Sequence, residues 1–496
     1  MTADRSISDR SRPSKLMAIT PIEKEFALSR SDVRRSSVDV PLIIGRQPFG
    51  PFHVRVTLLC AAALFIDGFD VQAIGYAAPR LSEDWHLAPG ALGGVFGAGV
   101  LGLMIGALIF SPLADRRGRR PILILCVLLS AVGTLMTTAA TSMTGLAAVR
   151  FVTGLGLGGA MPISIALISE YSPDNLRARM IVVGFCGYPL GSACAGLVAA
   201  TFVHSFGWQS LFYFGGALSL LVAPLLVIAL PESLRILTLK GGKSRQIRRI
   251  LHQLDPAHRF DETAEFITHE EKSPGFSVLY LFRGGRLPAT LLLWIVFLAS
   301  LLDLFLINNW LPTMIRSAGL PLQTAAIATA FFQIGGIVGA LTFGWLIDRF
   351  GVYRVMSMGN VLAAIFISSI GLVSGVVWAL IPFVFCAGFC VVGGQISLNA
   401  LASRFYPTHM RSTGVGWALG MGRIGSFAGP VIGGYLLSRQ WGTAAILFSA
   451  AIPALAGAAA VVCLSLFHHL TSQETDPTSR PDDFKRAKPL KIGGSA

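Results

Sequence analysis

The chain has 496 residues, 53% of them hydrophobic and only 13% charged, with a formal net charge of +14. That balance excludes an ordinary soluble domain. All seven cysteines fall in apolar stretches, where buried thiols pack as small hydrophobes, so neither a disulfide framework nor a metal site is expected.

Residues 1–53 are polar, rich in Ser, Arg and Asp, and show no sustained helical period. They are expected to form a mostly disordered cytoplasmic tail. No apolar run precedes the first full-length span, so a signal peptide is not expected. Twelve apolar stretches follow, each long enough to span a bilayer. The first six cover 54–78, 90–113, 121–140, 144–169, 180–202 and 208–230, forming an N-terminal half over 54–230. The second six cover 287–311, 322–347, 353–373, 376–402, 411–437 and 442–467, forming a C-terminal half over 287–467. Between them lies a central loop, 231–286, with ten basic and seven acidic residues and a short amphipathic pattern near Gln246 to Leu254. A second polar tail, 468–496, closes the chain. The predicted fold class is an all-α polytopic membrane protein with twelve transmembrane helices.

The charge distribution gives orientation. With both termini in the cytoplasm, thirty-five of the forty Lys and Arg residues fall on the cytoplasmic side, and three (Arg80, Arg316, Arg439) on the other. This is the positive-inside asymmetry. The basic excess is therefore a topology signal, and no nucleic acid partner is expected.

The two halves repeat. Asp70 precedes Pro79 by nine residues and Asp303 precedes Pro312 by nine; Asp115-Arg-Arg-Gly118 matches Asp348-Arg349-Phe-Gly351 at the same distance beyond each proline. After a slip of one residue, Ser172-Pro173 matches Tyr406-Pro407, with Arg177 opposite Arg411. Two repeat-related six-helix halves suit alternating access around a site at their interface.

Within the first span, Ile66-Asp67-Gly68-Phe69-Asp70 places two carboxylates near the bilayer midplane. Each costs about 2.5–3.5 kcal/mol there, and intramembrane ionisable groups mark ion or substrate pathways. At i, i+3 they share one helical face. Desolvation favours the protonated carboxyl and a nearby cation the ionised one, so the pair is a candidate proton carrier. Two arginines also lie inside spans. A guanidinium binds carboxylate in a bidentate fork. Arg423, near the midplane of the eleventh span, is the first choice for a substrate carboxylate. Arg150 in the fourth span either binds substrate or ties helices together, and both readings stand. Gln333, Gln395, Asn399 and Asn308 offer polar contacts, and Phe69, Tyr76, Phe332 and Trp417 offer aromatic ones. Asp303 has no partner at the position matching Asp67, which is Ser300.

The loop Ser111-Pro-Leu-Ala-Asp115-Arg116-Arg117-Gly118-Arg119-Arg120-Pro121 joins an acid, a turn glycine and a basic cluster, a hinge in which Asp115 can pair with arginines such as Arg119 and Arg120. In this loop the chain resembles the major facilitator superfamily, with Ser111 standing where the family has Gly. Asp67-Gly-Phe-Asp70 running into Ala-Ile-Gly-Tyr76-Ala-Ala-Pro79, Phe332-Gln333-Ile-Gly-Gly into Asp348-Arg349, and Gly414-Val-Gly-Trp417 into Arg423-Ile-Gly425 resemble its aromatic acid:proton symporters. The resemblance implies the major facilitator fold and uptake of a benzoate- or hydroxybenzoate-like anion with protons. It implies transport roles for Asp67, Asp70, Asp115, Arg150, Glu170, Asp348, Arg411 and Arg423. It further implies a monomer in a bacterial inner membrane that uses the proton gradient and no cofactor.

Sugar or polyol symport is the first alternative, suggested by the glycines after Arg150 and by Pro231-Glu232-Ser233-Leu-Arg235, but it leaves Asp67 and Asp70 unexplained. Drug efflux is weaker, since the Gly-Pro-rich run Gly425 to Gly434 sits in the eleventh span rather than the fifth. A membrane sensor lacks a signalling domain. An enzyme lacks a metal cluster, a nucleophile–base set and a nucleotide loop.

Overall fold

The computed structural model describes residues 37–241, 244–254, 265–267, 281–282, 286–373, 375–406 and 411–474. Every one of the twelve apolar stretches forms a helix. The N-terminal half holds α1 (Pro51–Asp84), α2 (Gly93–Arg117), α3 (Arg119–Thr137), α4 (Met143–Tyr171), α5 (Arg177–Phe206) and α6 (Gln209–Ala229). The C-terminal half holds α7 (Leu287–Ser317), α8 (Leu322–Phe350), α9 (Val352–Val373), α10 (Val377–Phe405), α11 (Arg411–Ser438) and α12 (Thr443–Glu474). Ten of them are individually long and apolar enough to cross a membrane. The other two, α1 and α11, carry Asp67 and Asp70 and Arg423 respectively. Outward-facing side chains such as Ile228, Leu372 and Leu108 are 70–82% exposed, which suits a protein whose solvent there is lipid.

The repeat is visible in the backbone. Pro79 lies inside α1 and Pro312 inside α7, and α2 and α8 each end at a glycine with positive φ, Gly118 (124°) and Gly351 (86°). Only a residue without Cβ adopts these turns at no steric cost, so the two Asp-Arg-x-Gly loops close in the same way.

Three apolar cores set the shape. At the end of the bundle opposite the chain termini, one core runs through both halves, joining Tyr76 and Leu81 of α1 and Phe96 of α2 to Trp310 of α7, Phe332 of α8 and Ile446 of α12. At the terminal end each half has its own core. One gathers around Val56, Leu167 and Leu226, the other around Phe297, Ile347 and Leu464. The halves are thus joined at the opposite end and are separate bodies at the terminal one.

Part of the expected tail is structured. Val40–Arg46 form a short helix whose Val40 and Ile44 enter the N-terminal core, while the Gly45 carbonyl accepts the Asp174 N–H at 3.1 Å. Seven residues are too few to register as a helical period, and burial of two side chains against a neighbouring core is what orders them. Residues 1–36 and 475–496 of the expected tails lie outside the described residues. In the central linker the amphipathic pattern near Gln246 becomes a helix, Ser244–Leu254, with Ile247, Ile250, Leu251 and Leu254 buried. A further helix, Leu234–Lys240, precedes it, capped by Ser233, whose Oγ accepts the Ile236 N–H. Strand β1 (Ser37–Asp39) pairs in parallel with β2 (Glu265–Ile267).

Candidate functional site

On α1, Asp67 and Asp70 are 1% and 2% exposed, yet their surroundings differ. Arg150 of α4 donates from Nη1 to Asp70 Oδ1 at 3.2 Å and from Nη2 to the Asp70 carbonyl at 2.9 Å, and its guanidinium lies 5.7 Å from the Phe212 ring centroid. The fork thus clamps the Asp70 side chain and backbone together, the geometry of a tie between α1 and α4.

Asp67 has no such partner. Neither carboxylate oxygen has a hydrogen-bond partner among the described residues. Across the interface between the halves, the half-buried Arg423 of α11 lies within electrostatic reach of Asp67 and near Tyr188, without a direct ion pair to Asp67. Tyr188 comes this close because α5 packs directly on α1. A Cβ at Gly68 would overlap the Tyr188 carbonyl, and Ser192 Oγ donates to the Gly68 carbonyl at 2.8 Å. The glycine between the two aspartates therefore serves helix contact. Tyr188 sits in Gly187-Tyr-Pro-Leu-Gly191 of the fifth span, and the Gly68 contact reveals its place.

The remaining candidates divide by location. Gln395 accepts from Ser300 Oγ at 2.6 Å and, with the exposed Asn399 one turn along α10, lies on the side where the halves separate. Gln333 is buried elsewhere, donating to Asn308 Oδ1 at 2.9 Å, while Gln72 of α1 donates to the Asn308 carbonyl. These three form a polar tie across the shared core. Phe69 does not face the interface. Its ring packs on Phe214 at 5.6 Å and against Gly215 of α6, so it is a packing residue. Tyr76 is enclosed between Gly196 of α5 and the shared core, with its hydroxyl unpartnered among the described residues. Each orientation follows from which face of α1 meets which neighbour, a tertiary fact that residue spacing does not carry.

The hinge loop is a network within one half. Arg119 forms ion pairs with Glu170 Oε1 at 2.6 Å and with Asp115 Oδ1 at 3.3 Å, and Ser233 Oγ donates to Glu170 Oε2 at 2.6 Å. Glu232 Oε1 accepts the N–H groups of Arg119, Arg120 and Ser233 at 2.8–3.2 Å. It thereby caps the first turn of α3 from the linker, at the helix end that favours an anion. Arg120 also donates to the Val227 carbonyl and Tyr171 to the Glu232 carbonyl. In the second half Asp348 and Arg349 are exposed, with Arg349 over the Trp345 and Phe350 rings at 5.5 and 5.7 Å. Arg411 begins α11, and its side chain lies outside the described residues.

At the opposite end the halves are closed. The Phe96 and Trp310 rings meet edge to face at 4.9 Å, Arg316 of α7 bonds Glu83 of α1 at 3.1 Å, and Gly434 of α11 lies against Gly90 and Gly93 at the start of α2.

The profile of the Major Facilitator Superfamily matches residues 60–326 and 293–493. The 4-hydroxybenzoate transporter PcaK of Pseudomonas aeruginosa is 39% identical over 433 residues, covering 87% of this chain and 97% of that protein. A gallate transporter of Pseudomonas putida is 38% identical over 432 residues, covering 86% and 94%. The chain belongs to the Major Facilitator Superfamily, in its aromatic acid transporter family. Among solved structures, a D-xylose–proton symporter aligns over 83% of this chain and 97% of its own with a TM-score of 0.62 at 18% identity, a likeness of fold. As a major facilitator protein, the chain is a multi-pass membrane transporter and not an enzyme.

Proposed function

We propose that the protein imports an aromatic carboxylate, of the benzoate and hydroxybenzoate class, together with protons across the inner membrane of a bacterium. Both termini lie in the cytoplasm on this reading, and the structure corresponds to the state open to the cytoplasm. The observation that carries the reading is the unpaired Asp67 facing the half-buried Arg423 across the interface between the halves. A carboxylate substrate takes the Arg423 fork, and a proton neutralises Asp67. With both charges met, the interface contains no net cost of an isolated ion, and the halves can close over the load. Release on the cytoplasmic side returns Asp67 to its unpaired state facing Arg423. The relatives named as 4-hydroxybenzoate and gallate transporters support the substrate class, and the 35-to-3 division of basic residues supports the orientation. The proton gradient is the energy source, no cofactor takes part, no nucleic acid is bound, and the working unit is a monomer.

The test is uptake by right-side-out and everted vesicles with a panel of aromatic acids under an imposed pH gradient. Right-side-out vesicles, acid outside, should accumulate the substrate above its equilibrium level. Accumulation indifferent to the gradient, or absent for every aromatic acid, overturns the reading.

A further inference from the structure

The C-terminal half holds a second buried carboxyl group that the transport scheme above does not use. Asp303 of α7 is 2% exposed, and its Oδ1 has no hydrogen-bond partner among the described residues. It borders a small cavity between α7, α8, α9, α10 and α12 that is otherwise lined by Ser300, Asn360, the Cys390 thiol and apolar groups. Besides Asp303 the titratable group on that lining is the Cys390 thiol of α10. Phe343 of α8, Asn360 of α9 and Ala454 of α12 bring no charge, and no other charged side chain lines the cavity.

The internal repeat makes this arrangement informative. Asp303 corresponds to Asp70, and α10 (Val377–Phe405) corresponds residue for residue to α4 (Met143–Tyr171), both 29 residues long. The residue of α10 matching Arg150 is the buried Val384. The first half thus neutralises its aspartate with a fixed cation, whereas the second half has put a hydrocarbon in the cation's place and kept the acid. A fixed charge in such a cavity is tolerated only when something mobile neutralises it. A route exists for the smallest such species. Ser300 lies one turn from Asp303 on the same face of α7, and its hydroxyl donates to Gln395, which with the exposed Asn399 lies on the side where the halves separate.

We propose that Asp303 is a second proton-binding site, reached through Ser300 and Gln395, that loads and releases one proton per transport cycle. The inference rests on the proton-coupled reading above and adds to it. With Asp67 carrying one proton and Asp303 another, uptake of a carboxylate monoanion moves one net positive charge inward.

The experiment uses the full chain in proteoliposomes with radiolabelled 4-hydroxybenzoate. Wild-type protein should accumulate it when driven by an inside-negative potential alone as well as by a pH gradient alone. In Asp303→Asn the potential-driven uptake should fall at least tenfold while pH-driven uptake persists. Electroneutral uptake by the wild type, potential-driven uptake retained by Asp303→Asn, or equal loss of both modes in a well-inserted variant overturns the proposal. Dependence on a sodium gradient that Asp303→Asn abolishes would assign the site to sodium and overturn the proton assignment. If Asp303→Asn does not insert, Ser300→Ala serves instead. It should slow potential-driven uptake at least threefold more than pH-driven uptake, and equal rates in both modes count against the route. A wild type with no response to a pH gradient would instead defeat the proton-coupled reading itself.

Discussion

Arg150 grips Asp70 at two points, the carboxylate at 3.2 Å and the main-chain carbonyl at 2.9 Å, with both side chains almost completely buried. The aspartate one turn away, Asp67, has only electrostatic reach to a cation in the other half. Two carboxylates on one helical face therefore differ in their surroundings, one bonded to α4 and one with neither oxygen hydrogen-bonded among the described residues.

Removing one partner of the buried pair should be worse than removing both. Arg150→Met strands an ion and is expected to destabilise the protein by about 3–5 kcal/mol, read as an early thermal unfolding transition in detergent. Asp70→Asn combined with Arg150→Met should recover a large part of that loss. A single variant as stable as the wild type would remove the helix-tie role.

Asp67→Asn should lower accumulation driven by a pH gradient at least tenfold, leaving what the Asp303 proton still drives, while substrate exchange between the two faces remains because the neutral side chain mimics the loaded carrier. Full concentrative uptake by this variant would exclude Asp67 as the coupling group.

Arg423→Lys keeps the charge and loses the planar fork. A charge-assisted hydrogen bond contributes about 1.5–3 kcal/mol, so substrate affinity should fall by about ten- to a hundredfold. Competition binding with a panel of carboxylates checks this, and unchanged affinity would place the carboxylate elsewhere.

Glu232 holds the first turn of α3 from outside the helix. Glu232→Ala should cost about 0.5–2 kcal/mol, the usual worth of an N-terminal cap, with Glu232→Gln in between. Thermal unfolding of the two variants gives the order, and equal stability of all three would mean that the three N–H groups are satisfied otherwise.

At the closed end the contributions are unequal. Glu83 and Arg316 are 44% and 42% exposed, so their ion pair is worth about 1 kcal/mol or less. Glu83→Gln should change labelling of a reporter cysteine at Ala77 by a factor of about five at most, and less in high salt. Gly434→Leu should act far more strongly, since a Cβ there already meets the Gly90 carbonyl at 2.8 Å. If the two variants label equally, backbone contact is not what closes this end.

Twelve long apolar helices, the repeat and the burial of Asp67 within one of them are legible in the sequence because each is a matter of hydropathy, spacing or charge in an apolar setting. The partners are not. Asp70, Phe69 and Tyr76 lie on one helix, but which meets an arginine, which packs on Phe214 and which faces α5 depends on how α1 is rotated among its neighbours. Tyr188 escapes notice because a tyrosine beside a proline in an apolar run has no distinguishing mark. Glu232 suggests sugar transport by its neighbours in sequence, while in space it is a cap for α3. The helix at Val40–Arg46 is invisible for a simpler reason, being shorter than two turns.

The described tail at 40–46 and the linker helices up to Leu254 belong to the N-terminal half, whereas Leu281, at the linker's other end, enters the C-terminal core. Val40, Ile44, Ile247, Ile250 and Phe266 share a core with α1, α3, α4 and α6, and Arg55 bonds Gln253 at 2.8 Å. Whatever is attached along 40–46 or 244–254 therefore travels with the N-terminal bundle as a rigid passenger. A spectroscopic donor there and an acceptor near Leu464 of α12 form a ruler across the cleft, and its length during turnover would time the exchange between the two faces of the membrane.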